Sequence, residues 1–261
     1  MMHADALDRL VRSPDTSGVL LDLDGTLSPI AELPETAALE AGGEEVLSDL
    51  VSRYRVVAVI SGRRERELAD LIPVPGVRFV PMYGLTDSPP VSPDVMAAVE
   101  SAAAGLEGVW VERKGPTVAL HFRQAAEPRR TAEILERRLA PIGVTSGMDV
   151  IAGKLVRELI PAGHPPKEGA VERIVREQGL RGVLYAGDDG PDLLAFRALR
   201  RLAALDDVLA VTVAVHGRET PEELVADADV VVNGPTGLIR FLRGLVPAQD
   251  DGGRTRSSAS S

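Results

Sequence analysis

The chain contains no cysteine, which removes disulfides, thiolate zinc sites and cysteine nucleophiles together. Long apolar runs are also missing. The longest are about five residues, as in Val56 to Ile60, against the roughly 18 that a membrane-spanning helix needs. The N-terminal MMHADALDRLVRSPDTS is mixed polar and has no signal-peptide core. Basic residues are in deficit: 29 Lys and Arg stand against 39 Asp and Glu, for a formal net charge of −10 and a pI near 5.0. A field of that sign repels phosphate backbones, so nucleic acid is not an expected partner, and any phosphate site needs local cations or a metal. The four histidines (His3, His121, His164 and His216) sit in no nucleophile-elbow context, which argues against a Ser/His/Asp hydrolase. No internal repeats are visible.

What is present is ordinary globular composition. The 261 residues are 44% hydrophobic and 26% charged, with a mean hydropathy of +0.04. That suits one large or two modest domains with a sizeable core and rules out a disordered, collagen-like or coiled-coil chain. The expectation is a soluble, cytoplasmic protein with no membrane partner. Oligomeric state is unreadable, and a monomer is compatible with the sequence.

Short apolar runs alternate with helix-like stretches. Gly18 to Asp24, Val56 to Ile60, Val77 to Tyr83, Gly182 to Ala186, Val208 to Val215 and Ala228 to Val232 read as strands. Pro34 to Arg53, Arg63 to Leu71 and a stretch after Asp189 running to about Leu202 read as helices. Buried runs separated by helices predict βαβ units and a parallel sheet, an α/β fold whose chemistry sits at the carboxyl ends of the strands. The middle differs: Gly108 to Lys114 and Thr117 to Arg123 read as a hairpin, Pro128 to Leu139 as a helix, and Val144 to Ile160 as two more strands. This ββαββ pattern predicts an inserted α+β domain over 88–162, splitting a core of 1–87 and 163–246. Pro/Gly-rich borders lie at Asp87 to Pro93 and Pro161 to Pro166, where hinges are expected, and the small polar tail 247–261 is expected to be disordered.

Three strands end in polar, glycine-containing turns. Asp22-Leu-Asp24-Gly25-Thr26 projects two carboxylates from an apolar strand, which is costly unless something positive sits there. Hard carboxylate oxygens suit Mg²⁺, Gly25 permits a sharp turn, and Thr26 can donate to an anion. An Asp-Gly turn with solvated acids is the bland alternative for this segment taken alone. A second cluster, Gly187-Asp188-Asp189-Gly190-Pro191-Asp192, also follows a strand and opens a helix. Alone it is a helix N-cap, but two carboxylate clusters on one sheet are better explained by a shared cation. Ser61, Gly62 and Arg63 offer a hydroxyl and backbone N–H groups at a strand-to-helix turn, a phosphate cradle. Lys167 stands before another helix, where an isolated lysine is usually a surface residue.

Together these four segments resemble the four motifs of the haloacid dehalogenase (HAD) superfamily of phosphohydrolases, in order and in strand-end placement. The resemblance implies a Rossmann-like core with the insertion as a cap over the substrate. It makes Asp22 the nucleophile, forming an aspartyl phosphate, and Asp24 the acid that protonates the leaving alcohol and then activates water. Ser61 and Lys167 would hold the phosphoryl oxygens. Mg²⁺ would be held by Asp22, the carbonyl of Asp24 and Asp188, with Asp189 and Asp192 supporting it from behind.

The insertion resembles the cap of trehalose-6-phosphate phosphatases, through Trp110-Val-Glu112-Arg-Lys114, then His121-Phe-Arg123, then Gly153-Lys154 and Glu158-Leu-Ile-Pro161. The resemblance spans about residues 18 to 245. It implies a phosphoric monoester hydrolase of trehalose biosynthesis that converts trehalose 6-phosphate to trehalose and phosphate. Strand alternation puts Trp110, Glu112 and Lys114 on one face and Val111 and Arg113 on the other. Lys154, Val156, Glu158 and Ile160 share a side of the later strand. Glu112, Lys114, Lys154 and Glu158 become the candidates for the sugar, and Thr26, Gly62 and Arg63 for the phosphate end. A solvated sheet face is the plainer account of the same charges, and His121 reads as a hydrogen-bonded structural residue. Four positions depart from the family pattern: Ile160 replaces an Arg, Glu168 a Gly, Pro191 a Thr and Tyr83 a His. On this reading Ile160 removes a cationic contact to the ligand, so a related (pseudo-)disaccharide or glycosyl phosphate is the alternative substrate. A non-catalytic sugar-phosphate binder is the alternative from another class.

Overall fold

A computed structural model describes residues 2–246 apart from 32, 87, 165–166 and 206–207. The first segment contains α1 (Met2–Arg12), β1 (Ser17–Leu21), α2 (Gly43–Arg53), β2 (Val56–Ile60), α3 (Glu65–Leu71) and β3 (Arg78–Val80). The middle contains α4 (Pro93–Ala103), β4 (Trp110–Arg113), β5 (Val118–His121), α5 (Pro128–Ser146), β6 (Met148–Gly153) and β7 (Val156–Pro161). The last contains α6 (Glu168–Gln178), β8 (Gly182–Gly187), α7 (Gly190–Leu205), β9 (Leu209–His216), α8 (Glu222–Asp227), β10 (Val230–Asn233) and α9 (Gly234–Arg243).

The larger sheet runs β10-β9-β8-β1-β2-β3, and every neighbouring pair is parallel. Its central strands are buried on both faces, which is why their sequences are uninterrupted apolar runs rather than alternating ones. Alternation decides which face each side chain meets. Val19 and Leu21 pack with α1, α2 and α9 residues such as Leu10, Leu47 and Leu238. Leu20 points the other way, into α6 and α7 residues such as Ile174 and Phe196.

The smaller sheet runs β4-β5-β7-β6 and is antiparallel throughout. Val118, Leu120 and Leu159 on one face pack with Val99 of α4 and Leu135 and Leu139 of α5. The other face carries Glu112, His121 and Glu158, and it looks across a cleft toward the carboxyl ends of the parallel strands.

Several spans differ from the sequence reading. The helix expected from Pro34 begins only at Gly43, because the chain before it is tied down: Ser28 Oγ donates to Ala38 O at 2.6 Å and Glu40 N to Leu27 O at 2.9 Å. The strand expected from Val77 to Tyr83 shortens to β3, since Met82 and Tyr83 turn left-handed with φ of 49° and 55°. The middle helix runs on through Pro141 to Ser146. Helix α4 begins at the end of the expected border, at Pro93, and runs through residues to which the sequence reading gives no element. Its start signal is present in the sequence: Ser92 caps it by accepting from Val95 N, with Pro93 in its first turn. Residues 87, 165 and 166 of the expected borders, and the tail 247–261, lie outside the described residues. Among the described residues, no helix is long and apolar enough to cross a membrane.

Candidate active site

The chain order of the large sheet reverses between β1 and β8, the place where open α/β sheets leave a crevice at their carboxyl ends. Leu21 pairs in register with Ala186, so the residues that follow, Asp22 and Gly187-Asp188, emerge side by side. Asp22 N donates to Ala186 O at 3.0 Å, which extends the ladder by one rung. Alternation sends the Asp22 carboxylate to the Leu20 side, toward the N-termini of α6 and α7. Lys167 sits at the first of these and Asp192 at the second.

The result is a buried charge cluster. Asp22 is 5% exposed, Lys167 2%, and Asp188 and Asp192 0%. Lys167 Nζ lies 2.8 Å from Asp22 Oδ1, 2.6 Å from Asp192 Oδ1 and 3.4 Å from Asp189 Oδ1. It is thus no surface lysine, and its own backbone is left-handed at φ 64°, a conformation that costs a non-glycine residue energy and tends to be kept at functional positions. Burial depresses the basicity of the Lys167 ammonium, but Asp189, Asp192 and Asp22 outweigh it and hold the group well above the ordinary lysine range. Asp22 is pushed up to about 7, chiefly by burial and partly by Asp192, against the pull of Lys167.

Oxygens of Asp22, Asp188 and Asp192 come within 4.8 Å of one another. Of the three, Asp192 has both of its oxygens taken up by donors within the protein. Asp192 Oδ2 accepts from the backbone N–H of Asp188 (2.8 Å) and Asp189 (3.0 Å). Its Oδ1 takes Lys167 and, at 2.6 Å, the Tyr185 hydroxyl. Asp188 Oδ2, by contrast, is buried and accepts no hydrogen bond; the ammonium of Lys154 lies against it. Gly25 turns at φ 91°, and a Cβ there would fall 2.1 Å from this same oxygen. Hard oxygens from Asp22 and Asp188, one of them neutralised here by the Lys154 ammonium, fit a small divalent cation. Asp192 fits as their support.

Asp24 is held differently. Arg63 grips it with two parallel hydrogen bonds, Nε to Oδ2 at 2.8 Å and Nη2 to Oδ1 at 2.7 Å. Arg63, expected at the phosphate, therefore spends its fork on the second aspartate of the motif. Thr26 is also redirected. It is fully buried, and its hydroxyl lies 3.3 Å from Asp22 Oδ2 and 3.0 Å from Asp188 Oδ1. It braces the two carboxylates and does not line the cleft, so it is in no position to donate to a bound anion. Ser61 does line the cleft, but its N–H is committed to Val80 O at 3.2 Å. The hydroxyl, which accepts from Arg63 N at 3.2 Å, is its free end. Gly62 also faces the cleft, and a side chain there would collide with the Tyr83 hydroxyl, 2.5 Å from the Cβ position.

Across the cleft, the polar face of the small sheet gathers as its alternation predicts. Lys114 Nζ lies 3.7 Å from Glu112 Oε2 and 3.5 Å from Glu158 Oε1. His121 Nε2 is 2.9 Å from Glu112 Oε2, and Thr117 donates to Glu158 at 2.6 Å. Burial lowers the basicity of Lys114, yet Glu158 and Glu112 outweigh it and raise the group above the usual range. Burial pushes the Glu112 carboxyl up, while His121 and Lys114 more than reverse this and lower it. Ile160 turns out to pack with Met82, Leu85 and Ile151, away from the cleft.

The structure thus brings Asp22, Asp24, Ser61, Gly62, Arg63, Lys167, Asp189, Glu112, Lys114, Lys154 and Glu158 to one cleft, with Asp188 and Asp192 directly behind it. Two groups at the site were not foreseen in a site role. Tyr185 could not be told from a core aromatic inside β8. Tyr83 was noted only as a departure from a pattern, and its place over Gly62 depends on the left-handed turn after β3.

The family model for trehalose-phosphatase matches residues 20–224. The trehalose-phosphate phosphatase of Mycobacterium avium (strain 104) is 32% identical over 202 residues, covering 70% of this chain and 51% of that protein. An uncharacterized glycosyl hydrolase of Mycobacterium tuberculosis is 33% identical over 204 residues, covering 70% of this chain but 15% of that protein. The chain therefore spans about half the length of that phosphatase and a small part of the hydrolase. Among solved structures, the C-terminal domain of Candida albicans trehalose-6-phosphate phosphatase superposes with a TM-score of 0.80, at 22% identity, over 94% of this chain and 97% of that one. A phosphatase of the HAD superfamily from Bacteroides thetaiotaomicron superposes at 0.56, at 17% identity, over 90% of this chain and 97% of that one. At those identities the superpositions speak to the fold, which is the α/β HAD fold with a parallel sheet and a separate antiparallel one.

Proposed function

This chain belongs to the trehalose-phosphatase family, and from that premise we propose that it hydrolyses trehalose 6-phosphate to trehalose and phosphate. The observation that carries the reading is the pairing of two unlike walls on one cleft. One wall holds the Asp22–Lys167 cluster, suited to a phosphoryl group; the other holds Glu112, Lys114 and Glu158, suited to sugar hydroxyls. Residues 88–162 act as the cap and the flanking segments 1–87 and 163–246 as the core.

Asp22 attacks phosphorus in line with the leaving oxygen, forming an aspartyl phosphate as the P–O bond to the sugar breaks. Asp24 delivers its proton to the departing alkoxide and, as a carboxylate, then takes a proton from the water that hydrolyses the intermediate. For the first of these steps its carboxyl must be released from the two Arg63 hydrogen bonds that hold it at rest. Lys167 and the Ser61 hydroxyl bind the equatorial phosphoryl oxygens as charge moves across them. Mg²⁺ held by Asp22, the Asp24 carbonyl and Asp188 would supply further positive charge at the phosphoryl group. Asp192, locked by Tyr185, Lys167 and two backbone N–H groups, keeps Asp188 and Lys167 in place; Asp189 stands beside them.

Phosphate release measured with and without Mg²⁺ tests this directly. Trehalose 6-phosphate should be hydrolysed in preference to glucose 6-phosphate, sucrose 6-phosphate and an aryl phosphate, and chelation should abolish turnover until Mg²⁺ is restored. Turnover of the aryl phosphate with none of trehalose 6-phosphate would overturn the substrate while keeping the chemistry.

The alternative of a related disaccharide phosphate was motivated by Ile160, and its apolar packing weakens that motive. Ile160→Arg places a guanidinium among Met82, Leu85 and Ile151. We expect it to destabilise the protein by about 2–4 kcal/mol, lowering Tm by roughly 2–4 °C for each kcal/mol, with no gain in kcat/KM on trehalose 6-phosphate. A native melting curve together with higher kcat/KM would show that the new side chain reaches the ligand after all.

A further inference from the structure

Trp110 is the single tryptophan of the chain, and it stands on the polar side of the small sheet. Its registered partner is His121, and the two rings stack with centroids 3.9 Å apart and planes 10° from parallel. The other apolar side chains of this sheet mostly point to the opposite face, against α4 and α5. An indole among Glu112, Lys114, His121 and Glu158 is not filling that core.

Two features fix what it presents. His121, pinned 2.9 Å from Glu112 Oε2, covers the ring face directed into the sheet and sets its orientation. Strand β4 is an edge strand of this sheet, so among the described residues no further strand lies against the other side of the ring. Both rings line the cleft, as does Ile30 from the loop after β1. A flat apolar face beside carboxylates and an ammonium matches the chemistry of a pyranose. Its axial C–H groups form an apolar face that stacks on an aromatic ring, while its equatorial hydroxyls need acceptors and donors around the rim.

We propose that Trp110 is the stacking platform for the hexose ring remote from the phosphate, with His121 as the residue that holds the platform in position. This rests on the sugar-phosphate reading above and deepens it: Trp110 would set the preference for a disaccharide phosphate over a hexose phosphate. A single hexose 6-phosphate anchored at Asp22 and Lys167 would leave the platform unused.

The lone tryptophan makes the test direct. Titrating trehalose into the wild-type protein should change its intrinsic emission in a saturable way, and glucose should change it less. In Trp110→Ala, the ratio of kcat/KM for trehalose 6-phosphate to that for glucose 6-phosphate should fall roughly tenfold, mainly through KM. Trp110→Phe, which keeps a flat ring, should recover most of that ratio. A general folding defect lowers both rates and leaves the ratio alone. An unchanged ratio in Trp110→Ala, or no emission response to trehalose, overturns the platform even where trehalose 6-phosphate is hydrolysed well. Failure of the wild-type protein to hydrolyse trehalose 6-phosphate is a separate result and overturns the function itself.

Discussion

Asp22→Asn should abolish phosphate release, by about 10⁴-fold or more, while the protein remains folded. The amide is nearly isosteric with the carboxylate, so the strand end and the Ala186 rung survive, but it cannot form the acyl phosphate. The variant should also be the more stable protein at alkaline pH when metal is absent. Burial raises Asp22 to about 7 from the ordinary 3.8, so between those values the native state holds a proton that the unfolded chain has released. Stability therefore falls as pH rises through this window, and the whole cost of the buried anion is present above about pH 7. Asparagine has no such titration. Melting curves of the metal-free proteins at pH 5 and pH 8 should show the variant gaining on the wild type as pH rises. More than a few per cent of wild-type turnover from a well-folded Asp22→Asn protein would exclude the covalent route assigned to this residue.

Much of this site was legible because strand ends are legible. The runs ending at Asp22, Ser61 and Asp188 are apolar on both faces, and only a parallel sheet covered on both sides needs that pattern. Their polar terminators then had to converge at one edge. Alternation in the small sheet likewise puts Glu112 and Lys114 on one face. What stayed hidden depended on long-range contacts with no local signature. Thr26 looked like an anion donor, because nothing near it in sequence shows that Asp188, far along the chain, takes its hydroxyl. Arg63 looked like a phosphate ligand for the same reason, since its partner Asp24 lies on another strand end. Ile160 shares a strand side with Glu158, yet it meets Met82 and Leu85 from the turn after β3. Strand periodicity gives the side of the sheet but not what lies opposite each position along it. Helix α4 is different: its start signal, Ser92-Pro93, lies inside the expected border and is readable, while its small, weakly patterned body carries no assignment from the sequence.

Lys167→Met should produce the largest loss of stability of any single change at the site. The ammonium is 2% exposed and is shared among Asp22, Asp189 and Asp192. Removing one partner of a buried ionic cluster leaves the others uncompensated, at about 3–5 kcal/mol. For a chain of this size that lowers Tm by roughly 6–20 °C. The penalty should depend on pH in a particular direction. Lys167 is held well above its ordinary range, so it stays charged from pH 5 to pH 8 and its own titration adds no slope there. The orphaned carboxylates can take up protons at pH 5 but much less at pH 8, so the difference in Tm between wild type and variant should widen as pH rises. Adding Asp192→Asn to Lys167→Met removes one of the stranded charges and should recover part of the Tm without restoring turnover, because the phosphoryl group still lacks its cation. That split between recovered stability and unrecovered rate separates neutralisation of the cluster at rest from the role proposed for the lysine in holding the phosphate. A Lys167→Met protein that melts within a degree or two of wild type at pH 8 would mean that the three carboxylates are neutralised by something else, and the electrostatic account of this cleft would have to be rebuilt around it.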